Sequence, residues 1–257
     1  MATSKPPRSL EGKVAIITGA SRGIGEGIAF DLASRGAKVT LTYSSDRSKE
    51  LTDALIDRIA SEAKSTAIAV QCDLKSPEAP KQIVDATVQA FGAIDILVNN
   101  AAVLTDKPIQ AITPDDFDEI FHTNARAPLL MLQATLPHLR RLGRIINISS
   151  VGARCAFAGM GLYSASKAAL EGFTRAWAAE LGGDGTTVNA VQPGPVQSEM
   201  LEKVDRAIKE PQMLATPVEK RAGTVREIAE VVAFLAEERS SWVSGQCISA
   251  SGGYMVN

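Results

Sequence analysis

KVAIITGASRGIG, residues 13–25, passes from a run of apolar and β-branched residues into a loop punctuated by Gly19, Gly23 and Gly25. A short run of this kind reads as a strand buried on both faces. The residues that follow, GIGEGIAFDLASRG (23–36), read as a helix that opens in the glycine loop and stops at Gly36. The free N–H groups and positive dipole end of a helix N-terminus make a seat for an anion. The spacing is G-x-x-x-G-x-G rather than G-x-G-x-x-G, but the physical task is the same. It asks for a tight turn, a close backbone approach and a pyrophosphate at the helix N-terminus. A glycine turn that binds nothing is the alternative, and the position directly after a first strand argues against it.

Outward from this unit the pattern repeats. Six further apolar runs read as strands at 38–45, 66–74, 94–102, 143–150, 186–194 and 246–253. Helical periodicity fills the gaps at 48–63, 79–92, 113–143, 163–182 and 224–238. In the long helix 113–143, Pro114 sits where a first turn accepts proline, and Asp116 stands at capping-box spacing from Thr113. Strands alternating with helices predict a doubly wound α/β fold of Rossmann type, a seven-stranded parallel sheet with helices on both faces. Residues 1–11 read as a flexible polar arm, and 12–257 as one domain. The segment 196–223 fits no strand and only part of a helix, and it falls beyond the sixth strand, where ligands bind in this architecture.

Composition removes several function classes. The 257 residues are 45% apolar and 22% charged, with a formal net charge of −2, which offers no concentrated basic face for nucleic acid. No uncharged apolar stretch is long enough to predict a membrane helix. Cys72, Cys155 and Cys247 show neither metal spacing nor a disulfide framework, so no metal is expected and a reducing, cytoplasmic compartment is the simplest fit.

The second strand reports on the ribose that a dinucleotide would place beside it. A site for NAD usually puts an acid there. This strand ends in Tyr43, Ser44 and Ser45, whose hydroxyls can donate to a 2′-phosphate, and Arg22 in the glycine loop adds a positive charge. Both features favour NADP(H). Asp46, one residue on, pulls the other way, and the serines with Asp46 have a second reading as a helix cap. Candidate cofactor contacts therefore begin with Gly19, Ser21, Arg22, Gly23, Ile24 and Gly25, and continue through Tyr43, Ser44 and Ser45. Asp73 and Leu74 follow the third strand. Asn99 and Ala101 end the fourth in NNAA (99–102), which also reads as a plain strand-end turn.

Four polar residues are candidates for chemistry. Ser150 ends the fifth strand; Tyr163 and Lys167 lie one turn apart in YSASK (163–167). Asn124 interrupts the long helix in HTNAR, where its uses are a kink or a bound water. Arranged around one carbonyl, Ser150 would donate to the oxygen and Tyr163 would exchange the proton. Lys167 would lower the tyrosine pKa and hold a ribose, and Asn124 would anchor a water leading to solvent.

TGASRGIG (18–25), NNAA, YSASK and PGPV (193–196) stand in the order and spacing of the short-chain dehydrogenase/reductase family, which the chain resembles over about residues 12–253. Asn124, Ser150, Tyr163 and Lys167 match that family's catalytic tetrad. Pro193, Gly194 and Val196 match the segment that covers the nicotinamide, and Ser198 stands where many members have threonine. Ser251 replaces the more usual aspartate before paired glycines, which bears on C-terminal packing. Within the family the chain resembles 3-oxoacyl-carrier-protein reductases and fungal reductases of polyketide and naphthol ketones. The resemblance implies an NADPH-dependent carbonyl reductase. An alcohol dehydrogenase working oxidatively, a cofactor-binding isomerase or cyclase, and a nonenzymatic binding role are the alternatives. Val151, Ala153, Phe157, Leu162, Leu104 and the segment 195–217 are expected to wall the substrate pocket, with Arg154 and Lys203 as charges within reach of an acid. Apolar and small residues on helices 113–143 and 163–182, and an apolar tail at 254–256, predict a homotetramer or homodimer.

Overall fold

The structure, a computed structural model, describes residues 8–155, 157–202, 204 and 206–256. Seven strands form one sheet: β1 (Val14–Ile17), β2 (Lys38–Tyr43), β3 (Ala67–Gln71), β4 (Ile94–Asn99), β5 (Leu139–Ile148), β6 (Thr187–Pro193) and β7 (Cys247–Ala250). Their order is β3-β2-β1-β4-β5-β6-β7 and every pairing is parallel. The chain runs from β1 outward to β3, then returns to the other side of β1 to begin β4. Connections leaving β1 and β4 therefore diverge, and a crevice opens at the carboxyl ends of the strands where the order reverses.

The helices are α1 (Gly23–Ser34), α2 (Asp46–Arg58), α3 (Ala79–Phe91), α4 (Pro114–Phe121), α5 (Ala127–Thr135), α6 (Gly161–Leu181), α7 (Glu199–Glu202), α8 (Arg206–Ala215) and α9 (Val225–Ala236). Alternate strand residues face opposite sides of the sheet. Ala15 and Ile17 join Ile28 and Leu32 of α1 and Val232 and Leu235 of α9 in one core. Ile16 joins Ile83 of α3, Met131 of α5 and Trp177 of α6 in the other. Buried apolar residues on both sides of each central strand are the reason these runs lack polar alternation.

Several boundaries differ from the sequence reading. The helix expected over 113–143 is not continuous. Thr113 and Asp116 form the capping box of α4, but a π turn follows at His122–Arg126, and α5 gives way to a 3-10 turn at Leu136–His138. Pro137 lacks the N–H that would continue the helix, and Leu139 turns extended, so β5 begins four residues earlier than 143. The helix expected at 48–63 starts at Asp46 and widens into a π turn over Ile59–Ala63 before Lys64 ends it in the left-handed region. The proposed arm falls partly on residues 1–7, which lie outside the described residues. Residues 8–11 are tied to the domain: Leu10 is buried and its N–H donates to the Arg35 carbonyl at 2.9 Å, while Ser9 Oγ donates to Glu237. No helix among the described residues is long and apolar enough to cross a membrane.

Helices α1 and α9 pack directly against each other. A Cβ added at Gly27 would lie 2.1 Å from Val225 Cγ1, so the approach depends on a residue with no side chain. Gly27→Ala is expected to lower unfolding free energy by about 1–3 kcal/mol through overpacking, read from urea denaturation. An unchanged midpoint would show that Val225 moves aside without cost.

Candidate active site

A cavity of about 540 Å³ occupies the crevice above β1, β2, β4, β5 and β6. Its floor at one end is the glycine loop. Gly19 and Gly23 have φ of +64° and +59°, in the left-handed region that side chains disfavour. A Cβ on Gly25 would lie 2.3 Å from the Gly19 carbonyl oxygen and 2.5 Å from Asn100 Nδ2. The loop is thus folded tightly on itself beneath the N-terminus of α1. Its shape is fixed from β4: Asn100 Nδ2 donates to the carbonyls of Thr18 and Gly19 at 2.8 and 3.1 Å. Thr18 Oγ1 accepts from the N–H groups of Asn100 and Ala101 at 2.9 and 3.0 Å. These bonds hold the diverging ends of β1 and β4 at a set separation.

Thr18 and Asn100 were not singled out from sequence. The doubled asparagine was the available signal, but it did not say which one faces the crevice. Asn99, the one named, is buried within the sheet and its Nδ2 donates to Asn147 Oδ1 at 2.9 Å; it does not line the cavity. Strand alternation puts its neighbour there instead.

Next to the glycine loop the cavity wall carries Arg22, Tyr43, Ser44 and Ser48. Arg22 donates to Ser48 Oγ at 3.3 Å and pairs with Glu199 of α7, also at 3.3 Å. Ser45 lies outside the lining, with its Oγ 3.1 Å from that of Ser48. It occupies the N-cap of α2 without a side-chain cap bond. Asp46 accepts from Gln71 Nε2 at 2.9 Å and is engaged at the end of β3. Asp73 and Leu74 complete this end, Asp73 Oδ1 accepting from the Lys75 N–H. A glycine cradle at a helix N-terminus, beside a guanidinium and hydroxyls, fits a dinucleotide whose pyrophosphate rests on the loop.

At the other end of the same cavity stand Ser150, Tyr163 and Lys167. Ser150 Oγ accepts from the Gly152 N–H at 3.0 Å and lies beside the Tyr163 side chain. Burial raises the Tyr163 pKa above the ordinary phenol value, and the Ser150 hydroxyl opposes part of that rise. The sequence reading had Lys167 pulling the phenol down. Here burial dominates, and the Lys167 ammonium is directed to the Ile148 carbonyl at 2.7 Å, with its nitrogen 5.8 Å from the centre of the Tyr163 ring. Burial also lowers the Lys167 pKa to about 8.

Asn124 is fully buried and does not line the cavity. It lies within the π turn between α4 and α5, and its side chain is committed to protein groups. Oδ1 accepts from Val103 N–H, and Nδ2 donates to the Val103 carbonyl and to Ser166 Oγ, at 2.9, 2.9 and 3.0 Å. Both amide hydrogens expected for a water are spent in this way. Asn124 ties the loop after β4 to the first turns of α6, since Ser166 Oγ in turn donates to the Tyr163 carbonyl at 2.7 Å.

Ala101, Pro193, Gly194, Val196 and Ser198 also line the cavity, as do Ser21 and Ile24. Beyond Tyr163 the wall turns apolar, with Leu104, Val151, Phe157, Met160, Met200 and Leu201. Ala153 and Leu162, expected there, are not part of it. Arg154 pairs with buried Glu171 instead of facing the pocket, and Lys203 lies outside the described residues. Ser251, in place of an aspartate, bonds Ser249 Oγ at 2.8 Å and accepts from the Met255 N–H at 3.3 Å, which holds the C-terminal segment.

A family model described as enoyl-(acyl carrier protein) reductase matches residues 19–255. The short-chain dehydrogenase/reductase FrzI of Cladobotryum sp is 43% identical over 259 residues, covering 98% of this chain and 99% of the relative. The chain belongs to the short-chain dehydrogenase/reductase family. Another family relative, the hydroxynaphthalene reductase-like protein Arp2 of Metarhizium acridum, is 40% identical over 98% of each chain. Among solved structures, a blue fluorescent protein from a metagenomic library in complex with NADPH is 38% identical, with a TM-score of 0.91. That match covers 96% of this chain and all of that one. The seven-stranded parallel sheet is the Rossmann fold of this family, and its members are oxidoreductases.

The Lys167 environment has a consequence for stability. Its pKa lies near 8 when folded and 10.5 when free, so the unfolded chain binds more protons between those values. The cost of a buried ammonium is carried in full below pH 8 and relieved as pH rises toward 10.5. Relative to Lys167→Met, the wild type should gain unfolding free energy between pH 8 and 10, measured by urea titration. A difference that stays constant with pH would place the lysine in a solvated site.

Proposed function

We propose that this chain is a cytoplasmic, NADPH-dependent carbonyl reductase of secondary metabolism that transfers hydride to a ketone on a hydrophobic, polyketide-like substrate. The observation that carries the reading is the shared cavity. A dinucleotide cradle occupies one end, the Ser150–Tyr163 hydroxyl pair and Lys167 the other, and an apolar wall lies beyond. The cofactor, when bound, supplies the hydride. The chain's own groups supply orientation and the proton: Ser150 donates to the carbonyl oxygen, and Tyr163 delivers its proton to the developing alkoxide. Lys167, held by the Ile148 carbonyl, would hold the ribose of a bound cofactor and return a proton to Tyr163, regaining its own from solvent before the next turnover. Asn124 acts behind them by fixing α6 to the loop after β4.

The raised Tyr163 pKa supports the reductive direction. A phenol that stays protonated at neutral pH is ready to give its proton, whereas alcohol oxidation needs the phenolate. Arg22 with Ser44 and Ser48 supports NADP(H), and Asp46, the acid that follows the second strand, is engaged by Gln71; a 2′-phosphate would take Arg22 over from Glu199, which pairs with it at 3.3 Å. The NADPH complex of the metagenomic relative and the reductase-like name of Arp2 agree with this reading. Residues on the outer side of α6, including Ala165, Ala168 and Ala176, are left exposed by packing on the sheet and suit association into a homodimer or homotetramer.

A panel of hydrophobic and aromatic ketones, followed by NADPH absorbance with product identification, tests the activity. Tyr163→Phe should lower turnover by about 100-fold or more while leaving NADPH affinity close to wild type. Retention of most activity would remove Tyr163 as the acid. Selectivity for NADPH over NADH in kcat/KM should be about 10- to 100-fold, the scale of charge-assisted bonds to a phosphate. Equal values would move ribose recognition to another residue.

A further inference from the structure

We propose that Glu171 is a positioning residue for the reduction, holding the chain ends around the reacting carbonyl in register with Tyr163 and Lys167; this rests on the carbonyl-reductase reading above. Glu171 lies on α6 four residues past Lys167 and eight past Tyr163, so the three share a face. It is 3% exposed. Its Oε1 accepts from Ser149 Oγ at 2.8 Å and from Gln192 Nε2 at 2.6 Å. Its Oε2 accepts from Arg154 Nε at 3.2 Å.

Each partner adjoins a different part of the chemical end of the cavity. Ser149 lines it and precedes Ser150 at the end of β5. Gln192, fully buried, precedes Pro193 and Gly194 at the end of β6. Arg154 follows the 3-10 turn Val151–Ala153, whose first residue is part of the apolar wall. One carboxylate therefore joins two strand ends and the wall turn to the helix that carries the proposed acid and lysine. None of the three partners belongs to the glycine loop or to the Arg22 end.

Stability alone gives little reason for a charge here, since a buried ion pair is often replaced by packed apolar residues without loss. What a carboxylate adds is three directed, charge-assisted bonds from one point. Ser150 has to meet a carbonyl oxygen within hydrogen-bond reach of Tyr163, and a displacement of about 1 Å at such a site can lower turnover about 100-fold.

The test compares Glu171→Gln and Ser149→Ala with wild type, using a ketone turned over by the wild type and 2′,5′-ADP as a probe of the Arg22 end. Glu171→Gln should lower kcat about tenfold or more, with KM for NADPH and the dissociation constant of 2′,5′-ADP within about twofold of wild type. Ser149→Ala, which removes one hydroxyl and tests the idea if the glutamine chain does not fold, should show the same split at about two- to tenfold in kcat. Circular dichroism at the assay temperature fixes the folded fraction. A purely structural role predicts a lower melting temperature with kcat per folded molecule unchanged in both variants, and that result overturns the inference. Parallel loss of 2′,5′-ADP binding also overturns it, because the effect would then be general loosening. A wild type that turns over no ketone sinks the carbonyl-reductase reading and this inference with it. Turnover that survives both variants sinks the inference alone.

Discussion

Lys167 places an ammonium 2.7 Å from the Ile148 carbonyl with 2% of the residue exposed. Burying such a group is unfavourable, and the depression of its pKa toward 8 registers that cost. The site is arranged so that the lysine stays where it is. It sits on a face of α6 whose packing against the sheet fixes the helix, and its bond partner is the last residue of β5. Tyr163 is one turn back on the same helix, and Ser150 is two residues past Ile148. Placing Lys167 against that carbonyl therefore sets the distance between the helix that carries Tyr163 and the strand end that carries Ser150.

The other end of the cavity follows from topology. Because the chain reverses direction in the sheet between β1 and β4, their loops separate, and something has to set the gap. Thr18 and Asn100 do so with four hydrogen bonds across the two strand ends. The glycine loop then folds over Asn100 so closely that Gly25 admits no side chain. The cradle at the end of β1 and Ser150 at the end of β5 are thus carried by one sheet, with β4 between them and Tyr163 on α6 alongside. The segment that carries α7 and α8 is pinned at its base by a β-bridge between Val196 and Gly223, and the Val218 N–H donates to the Gly252 carbonyl at 3.0 Å. Arg22 reaches across to Glu199 of α7, so the segment that brings Met200 and Leu201 to the apolar wall also touches the Arg22 end of the cavity.

Much of this was legible in the sequence because it rests on local signals. Apolar runs, six of them bordered by glycine, marked all seven strands, the threonine and aspartate at 113 and 116 marked the start of α4, and YSASK displayed its two side chains on one turn. The failures have physical causes. A π turn inside a helix leaves the hydrophobic period nearly intact, so 113–143 read as continuous although Asn124 was recognised as out of place. The change from helix to strand at Leu139 comes inside a run of leucine and arginine that suits either state. Asn99 and Asn100 differ only in which side of the strand they face, a register that tertiary pairing decides. Glu171 carries no sequence mark at all. A glutamate on a surface helix is ordinarily solvated, and only the convergence of Ser149, Gln192 and Arg154 shows that this one is enclosed.

The central claim is that one cavity brings a cofactor's hydride and the Tyr163 proton to the same carbonyl. The most direct measurement uses NADPH carrying deuterium at the transferable position of its nicotinamide, incubated with a bicyclic aromatic ketone and the wild-type protein, with the product examined by mass spectrometry and NMR. The account predicts an alcohol with one deuterium on the carbinol carbon, formed in step with cofactor oxidation. Conversion of the substrate without deuterium and without cofactor loss, or cofactor oxidation that leaves the ketone untouched, would contradict it.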